Sequence, residues 1–172
     1  MGLRVNAKYE LHDLVPLAIA VAVVIVDQLT KQWIMTNFAL HEQQSIIPGF
    51  FDLVYVTNTG AAFGFLAGSK TWLRQVFFIA VSIVALVVII YAYDHLKKQA
   101  RIFVYALGLI AGGAVGNLID RLRFGSVVDF LDFYLGTHHW PAFNAADSAI
   151  TTGVALFLFG TLLQHRKEKR RA

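Results

Sequence analysis

The 172-residue chain is 57% hydrophobic and only 15% charged, with a formal net charge of +4. Soluble domains carry about 25% charged residues, so a water-soluble core is excluded and an integral membrane protein is indicated. The chain has no cysteine, which rules out disulfides and a catalytic thiol.

Four apolar stretches approach the roughly 20 residues needed to cross a bilayer: 14–33, 72–93, 102–119 and 142–163. They predict an all-α membrane protein, a four-transmembrane-helix bundle forming a single domain over 1–172. The first stretch is too long for a signal peptide, carries Asp27 and Lys31 at its far end and lacks a small-x-small cleavage site, so it reads as a retained helix. Ten of the Lys and Arg residues fall at the N-terminus (Arg4, Lys8), in the loop at 94–101 (Lys97, Lys98, Arg101) and in the tail (Arg166, Lys167, Lys169, Arg170, Arg171). The other five are Lys31, Lys70, Arg74, Arg121 and Arg123. The positive-inside rule then puts both termini in the cytoplasm and the two longer connections outside. The basic tail reads as a topology anchor against anionic phospholipid rather than a nucleic-acid site.

The connection after the first helix, about 34–71, is long enough to have structure of its own. Ile46–Phe50 reads as a turn, Phe51–Thr57 as a strand because it is β-branched and aromatic, and Asn58-Thr59-Gly60 as a break. Ala61–Leu66 reads as an interfacial segment. A small β-containing outer region is expected to cap the bundle. In the third helix Gly108, Gly112 and Gly116 form one stripe at i, i+4 and i+8. Such a stripe admits a close helix neighbour or a substrate helix.

The outward ends of the helices collect polar residues at one depth. Asp27 and Lys31 have the i, i+4 order of a helical ion pair, worth about 0.2–0.5 kcal/mol on an exposed surface. Asn117, Asp120 and Arg121 fit a helix end, with the cation near the carbonyl terminus. Asn144 is the better N-cap for the fourth helix, which leaves Asp147 in its first turn. Asp129, in Val127-Val128-Asp129-Phe130, has no capping role, and Asp132 is a second acid in the same aromatic stretch. Two carboxylates sharing one proton are the working unit of aspartic-protease chemistry, but spacing alone leaves Asp129 and Asp147 open to a purely structural reading. Proton-relaying transport is the competing class, and it wants acids near mid-bilayer. A zinc protease would need His-Glu-x-x-His, and His41-Glu42-Gln43-Gln44-Ser45 lacks the second His. No nucleophile elbow surrounds Ser148, and the Gly-x-Gly-Asp of presenilin-type proteases is absent.

Five blocks in order carry a specific resemblance: Asp27-Gln28-Leu29-Thr30-Lys31, Asn58-Thr59-Gly60-Ala61-Ala62-Phe63, Gly116-Asn117-Leu118-Ile119-Asp120-Arg121, Val127–Phe130 and Phe143–Ile150. Together they resemble the bacterial lipoprotein signal peptidases, the type II signal peptidases, over nearly the whole chain. The resemblance implies an aspartic intramembrane protease of the bacterial inner membrane. Such enzymes remove signal peptides from prolipoproteins on the N-terminal side of a diacylglyceryl-modified cysteine. It implies that Asp129 and Asp147 are the catalytic pair, and that Asp27, Lys31, Asn58, Gly60, Asn117, Asp120, Arg121 and Asn144 shape or support the site. It further implies a monomer that needs no metal or organic cofactor, and inhibition by globomycin-type cyclic peptides.

Overall fold

The computed structural model describes residues 14–60 and 71–170. The expected interfacial segment at 61–66 lies outside the described residues. Four helices are long and apolar enough to cross a membrane: α1 (Val15–Asn37), α2 (Thr71–Leu96), α3 (Arg101–Phe124) and α4 (Ala145–Lys169). All four predicted spans are present, and each runs a few residues further at one end or both. Pro16 sits in the first turn of α1, where its missing N–H is no loss. The α3 helix does not end at Asn117–Arg121 as expected. It continues to Phe124 and closes on Gly125, whose φ of 73° and N–H to the Arg121 carbonyl (3.0 Å) make a left-handed cap.

Helix α3 is the central element, packed against α1, α2 and α4. The glycine stripe explains one of these contacts. A Cβ at Gly108 would lie 2.9 Å from the Pro16 carbonyl oxygen, and one at Gly112 would lie 2.7 Å from Val23 Cβ and 2.8 Å from the Ala20 oxygen. A Cβ at Gly116 would lie 2.6 Å from Asp27 Oδ2. The stripe is therefore filled by α1. It is not an open track for a substrate helix, because α1 occupies the space along it. A second small-residue seam joins α3 to α4, where Gly113 meets the Ala146 carbonyl and Gly153 meets the Ala106 carbonyl. Close backbone approach gains dispersion contacts, which drive helix association in lipid, where there is no hydrophobic effect between helices. By contrast, α2 packs principally on α3 and keeps Val84, Val88, Ile90 and Tyr91 exposed, as a lipid-facing span does.

The α1–α2 and α3–α4 connections enter one antiparallel sheet in the order β1 (Gln43–Ile47), β2 (Phe51–Asn58), β3 (Val127–Leu135), β4 (His138–His139). The predicted strand at 51–57 is β2. The Ile46–Phe50 turn is present as well, with the Phe50 N–H bonded to the Ile47 carbonyl at 3.0 Å. The stretch around Asp129 reads only as a connection in sequence, yet it is β3, paired with β2 through Val56↔Asp129 and Asn58↔Val127. Ile34 and Phe38 of α1 pack with Val128 and Phe130 in a buried cluster that seats the sheet on the helix ends.

Candidate active site

The sheet and the adjoining ends of α1, α3 and α4 converge on a buried polar network. Asp27, Lys31 and Asp120 are each at most 1% exposed. Lys31 Nζ donates to Asp27 Oδ2 (2.9 Å) and Asn117 Oδ1 (3.0 Å) and lies 2.9 Å from Asp120 Oδ2. Three partners use the three N–H donors of the ammonium group. The small value of an exposed helical pair therefore does not apply to Asp27 and Lys31. Burial desolvates both charges, and removing one partner of such a pair costs several kcal/mol.

The same carboxylates tie separate elements together. Asp27 Oδ1 accepts the Ala146 N–H (3.0 Å), an otherwise unpaired donor in the first turn of α4. Asp120 Oδ2 accepts the Val128 N–H (3.1 Å), which fixes β3 to α3. Gln28, given no role by sequence reasoning, donates from Nε2 to Asp120 Oδ1 (2.9 Å), Asp27 Oδ2 (3.1 Å) and the Gly116 carbonyl (3.3 Å). Its signal was available, because an amide inside an apolar span needs a partner.

Two asparagines carry the network to Asp129 and Asp147. Asn144 is the N-cap of α4 and Asp147 sits at N3, and the two exchange hydrogen bonds as a capping box. The Asp147 N–H donates to Asn144 Oδ1 (2.9 Å), and the Asn144 N–H donates to Asp147 Oδ2 (3.3 Å). The fully buried Asn144 side chain then points Nδ2 at Asp129 Oδ1 (2.7 Å). Lys31 is donor-only and holds Asn117 by its Oδ1, so Asn117 Nδ2 is turned toward Asp147 Oδ1 (2.8 Å). One capping residue thus holds both acids, which are brought together from a strand and a helix start.

Asn58 closes the site from β2, with its side chain hydrogen-bonded to Asp129. Its Oδ1 also accepts the Gly60 N–H (2.8 Å) in an Asx-type turn. Gly60 has a φ of 93°, and a Cβ there would collide with the Phe78 ring, so both backbone and space require glycine. Arg121 stacks over Phe78 of α2 at 5.4 Å and turns its charge toward Asp147, Asp129 and Asp120.

Burial, and then the charge of Asp147, push the Asp129 carboxyl up from 3.8 to about 7. Hydrogen bonds from Asn58 and Asn144 and the charge of Lys31 oppose the rise without cancelling it. Asp132 lies three residues along β3, hence on the opposite face of the strand. It pairs with His139 at 2.9 Å and opposes Asp52 across the sheet. Among the described residues, no set of three or more His, Asp or Glu side chains is arranged to hold a metal ion.

Four spanning helices capped by a small sheet, with a buried polar network and two amide-held carboxylates at one end of the bundle, define a multi-pass membrane protein with a built polar site. Comparison with known proteins makes this specific. The family model described as signal peptidase (SPase) II matches residues 19–163, and the chain belongs to that family. The lipoprotein signal peptidase of Syntrophus aciditrophicus is 47% identical over 147 residues, covering 86% of this chain and 91% of that one. The lipoprotein signal peptidase of Syntrophotalea carbinolica is 51% identical over 142 residues, covering 83% and 87%. A bacterial membrane enzyme solved in meso at 1.9 Å superposes with a TM-score of 0.74 at 37% identity, covering 86% of this chain and 92% of that one.

Proposed function

We propose that this protein is a prolipoprotein signal peptidase. It hydrolyses the peptide bond before a diacylglyceryl-modified cysteine, using Asp129 and Asp147 to activate water. The observation that carries this reading is that neutral amides bridge the two acids. Asn144 and Asn117 hold the carboxylates, and among the described residues no cation is hydrogen-bonded to either. A pair so held can share one proton, because the charge of Asp147 disfavours ionisation of Asp129.

The hydrogen bonds also support a division of labour. Both oxygens of Asp147 accept N–H donors, which suits the ionised base that takes a proton from water. Asp129, raised to about 7, suits the member that keeps the shared proton and donates it to the scissile carbonyl oxygen. Water then attacks the carbonyl carbon. The proton collected by Asp147 passes to the departing nitrogen as the C–N bond breaks, and Asp129 recovers its own. Arg121 and Lys31 moderate the negative charge without joining the transfer.

The rest of the reading follows from the lipid. A diacylated cysteine is anchored in the outer leaflet of the bacterial inner membrane, so the site belongs at that surface with both termini in the cytoplasm. Globomycin-type peptides would compete there, and the enzyme would act as a monomer. The decisive measurement is cleavage of a purified diacylglyceryl-prolipoprotein by wild type, Asp129→Asn and Asp147→Asn. Each substitution should reduce turnover by about a hundredfold to ten-thousandfold, the range for losing a general acid or base. Wild-type turnover in either variant overturns the mechanism.

A further inference from the structure

Hydroxyls in the spanning helices divide into two groups. Thr30, Thr36, Ser82, Ser148 and Thr161 each donate to the carbonyl four residues back, at 2.8 to 3.0 Å. That is how a hydroxyl satisfies itself on a helix in lipid. Thr151 and Thr152 are the exceptions among the described residues: both are exposed and neither has a hydrogen-bond partner. They lie side by side on α4 in the wall of a cavity of about 360 Å³, together with Trp140, Phe143, Asp147 and Ser148. The packing face of α4 is elsewhere, at Ala146, Gly153 and Gly160, so no helix among the described residues serves these hydroxyls.

We propose that Thr151 and Thr152 bind the main chain of the signal peptide about two residues before the scissile bond. The proposal rests on Asp129 and Asp147 as the catalytic pair. Thr151 is one turn beyond Asp147, about 6 Å along the helix axis at 1.5 Å per residue. The helix enters the membrane at Asn144, so this step runs deeper into the bilayer. An extended peptide advances about 3.3 Å per residue, and 6 Å corresponds to roughly two residues. The part of the substrate that lies deeper than the cleaved bond is the signal peptide itself. A hydroxyl both donates and accepts, and two neighbouring ones match the alternating N–H and C=O of an extended strand. A helical segment has those groups already paired, so the cavity selects substrate that is unwound near the bond. Lipid ester carbonyls are acceptors only and fit the pair less well.

The test uses detergent-solubilised full-length protein and a synthetic diacylglyceryl-modified prolipoprotein peptide. Thr151→Val with Thr152→Val keeps shape and should raise KM about tenfold while retaining turnover at saturation, since each lost hydrogen bond contributes roughly threefold to tenfold. The double Ser variant should restore KM. A substrate with an ester in place of the amide two residues before the bond lacks the N–H and keeps a weaker carbonyl acceptor, so the KM difference between the Val variant and wild type should shrink from about tenfold to about threefold. Unchanged KM in the Val variant overturns the proposal. So does a KM effect that vanishes instead on a substrate with ether-linked lipid chains, which would assign the hydroxyls to the lipid. Asp129→Asn in the same assay reports separately on the catalytic pair: if it stays active, the mechanism fails whatever the threonines do.

Discussion

Two pairs of aspartates, all buried except the half-buried Asp147, lie at the same end of the bundle, and they are held in opposite ways. Asp27 and Asp120 flank the Lys31 ammonium, 2.9 Å from each. Asp129 and Asp147 are bridged by the amides of Asn144 and Asn117. A cation between two acids fixes their charge and makes them a clamp. An amide fixes position and leaves the charge free to change. The first pair therefore joins α1, α3, β3 and α4, and the second is the pair to which the proposed function assigns a mobile proton.

Breaking the clamp should have the largest effect. Lys31→Met leaves Asp27 and Asp120 buried without a counter-charge and should destabilise the protein by about 3–5 kcal/mol, read from denaturation in detergent. A loss below about 1 kcal/mol would show that the cluster is hydrated and not a true buried pair.

The second test concerns the mobile proton. The folded Asp129 carboxyl is raised from its ordinary value of 3.8 to about 7, so the folded state binds more protons between those values. Stability from this group is fully present below about 4 and declines as pH rises toward 7. Turnover should fall on the alkaline side of about 7 as the shared proton leaves. Asp129→Asn should flatten the stability profile over that window, and an unaltered slope would separate the pKa from this residue.

The smallest effect is expected outside both pairs. Asp132→Asn should leave turnover within about twofold, because Asp132 lies on the opposite face of β3 from Asp129 and its partner is the half-exposed His139. A large loss would mean that the sheet transmits its own electrostatics to the site.

The spans were legible in sequence because hydropathy reports them directly, and Asn144 was legible as a cap because its chemistry is local. The pairing partners were not. Whether Gly112 faces a substrate or α1 depends on how two helices cross, and periodicity within α3 carries no information about that. Asp27 and Lys31 read as an exposed pair because i, i+4 spacing is silent about burial. Gln28 was visible as a polar residue in an apolar span, but its three acceptors come from both α1 and α3. The strand character of β3 was hidden for a similar reason: Val127–Phe130 has no period-2 alternation, being apolar on both faces except at Asp129. The site residues themselves were separated from decoys by their family blocks, with alternation along β3 supplying the physical reason that Asp132 stands apart.

The sheet couples β2, from the loop after α1, to β3, from the loop after α3. Asp147 lies beyond both, in the last helix. During synthesis, then, the site cannot assemble until the fourth span has been delivered to the membrane. A partly made chain holds one acid without the other, and without Asn144 to aim it. On the proposed mechanism, peptide hydrolysis therefore has to wait for insertion of the last helix.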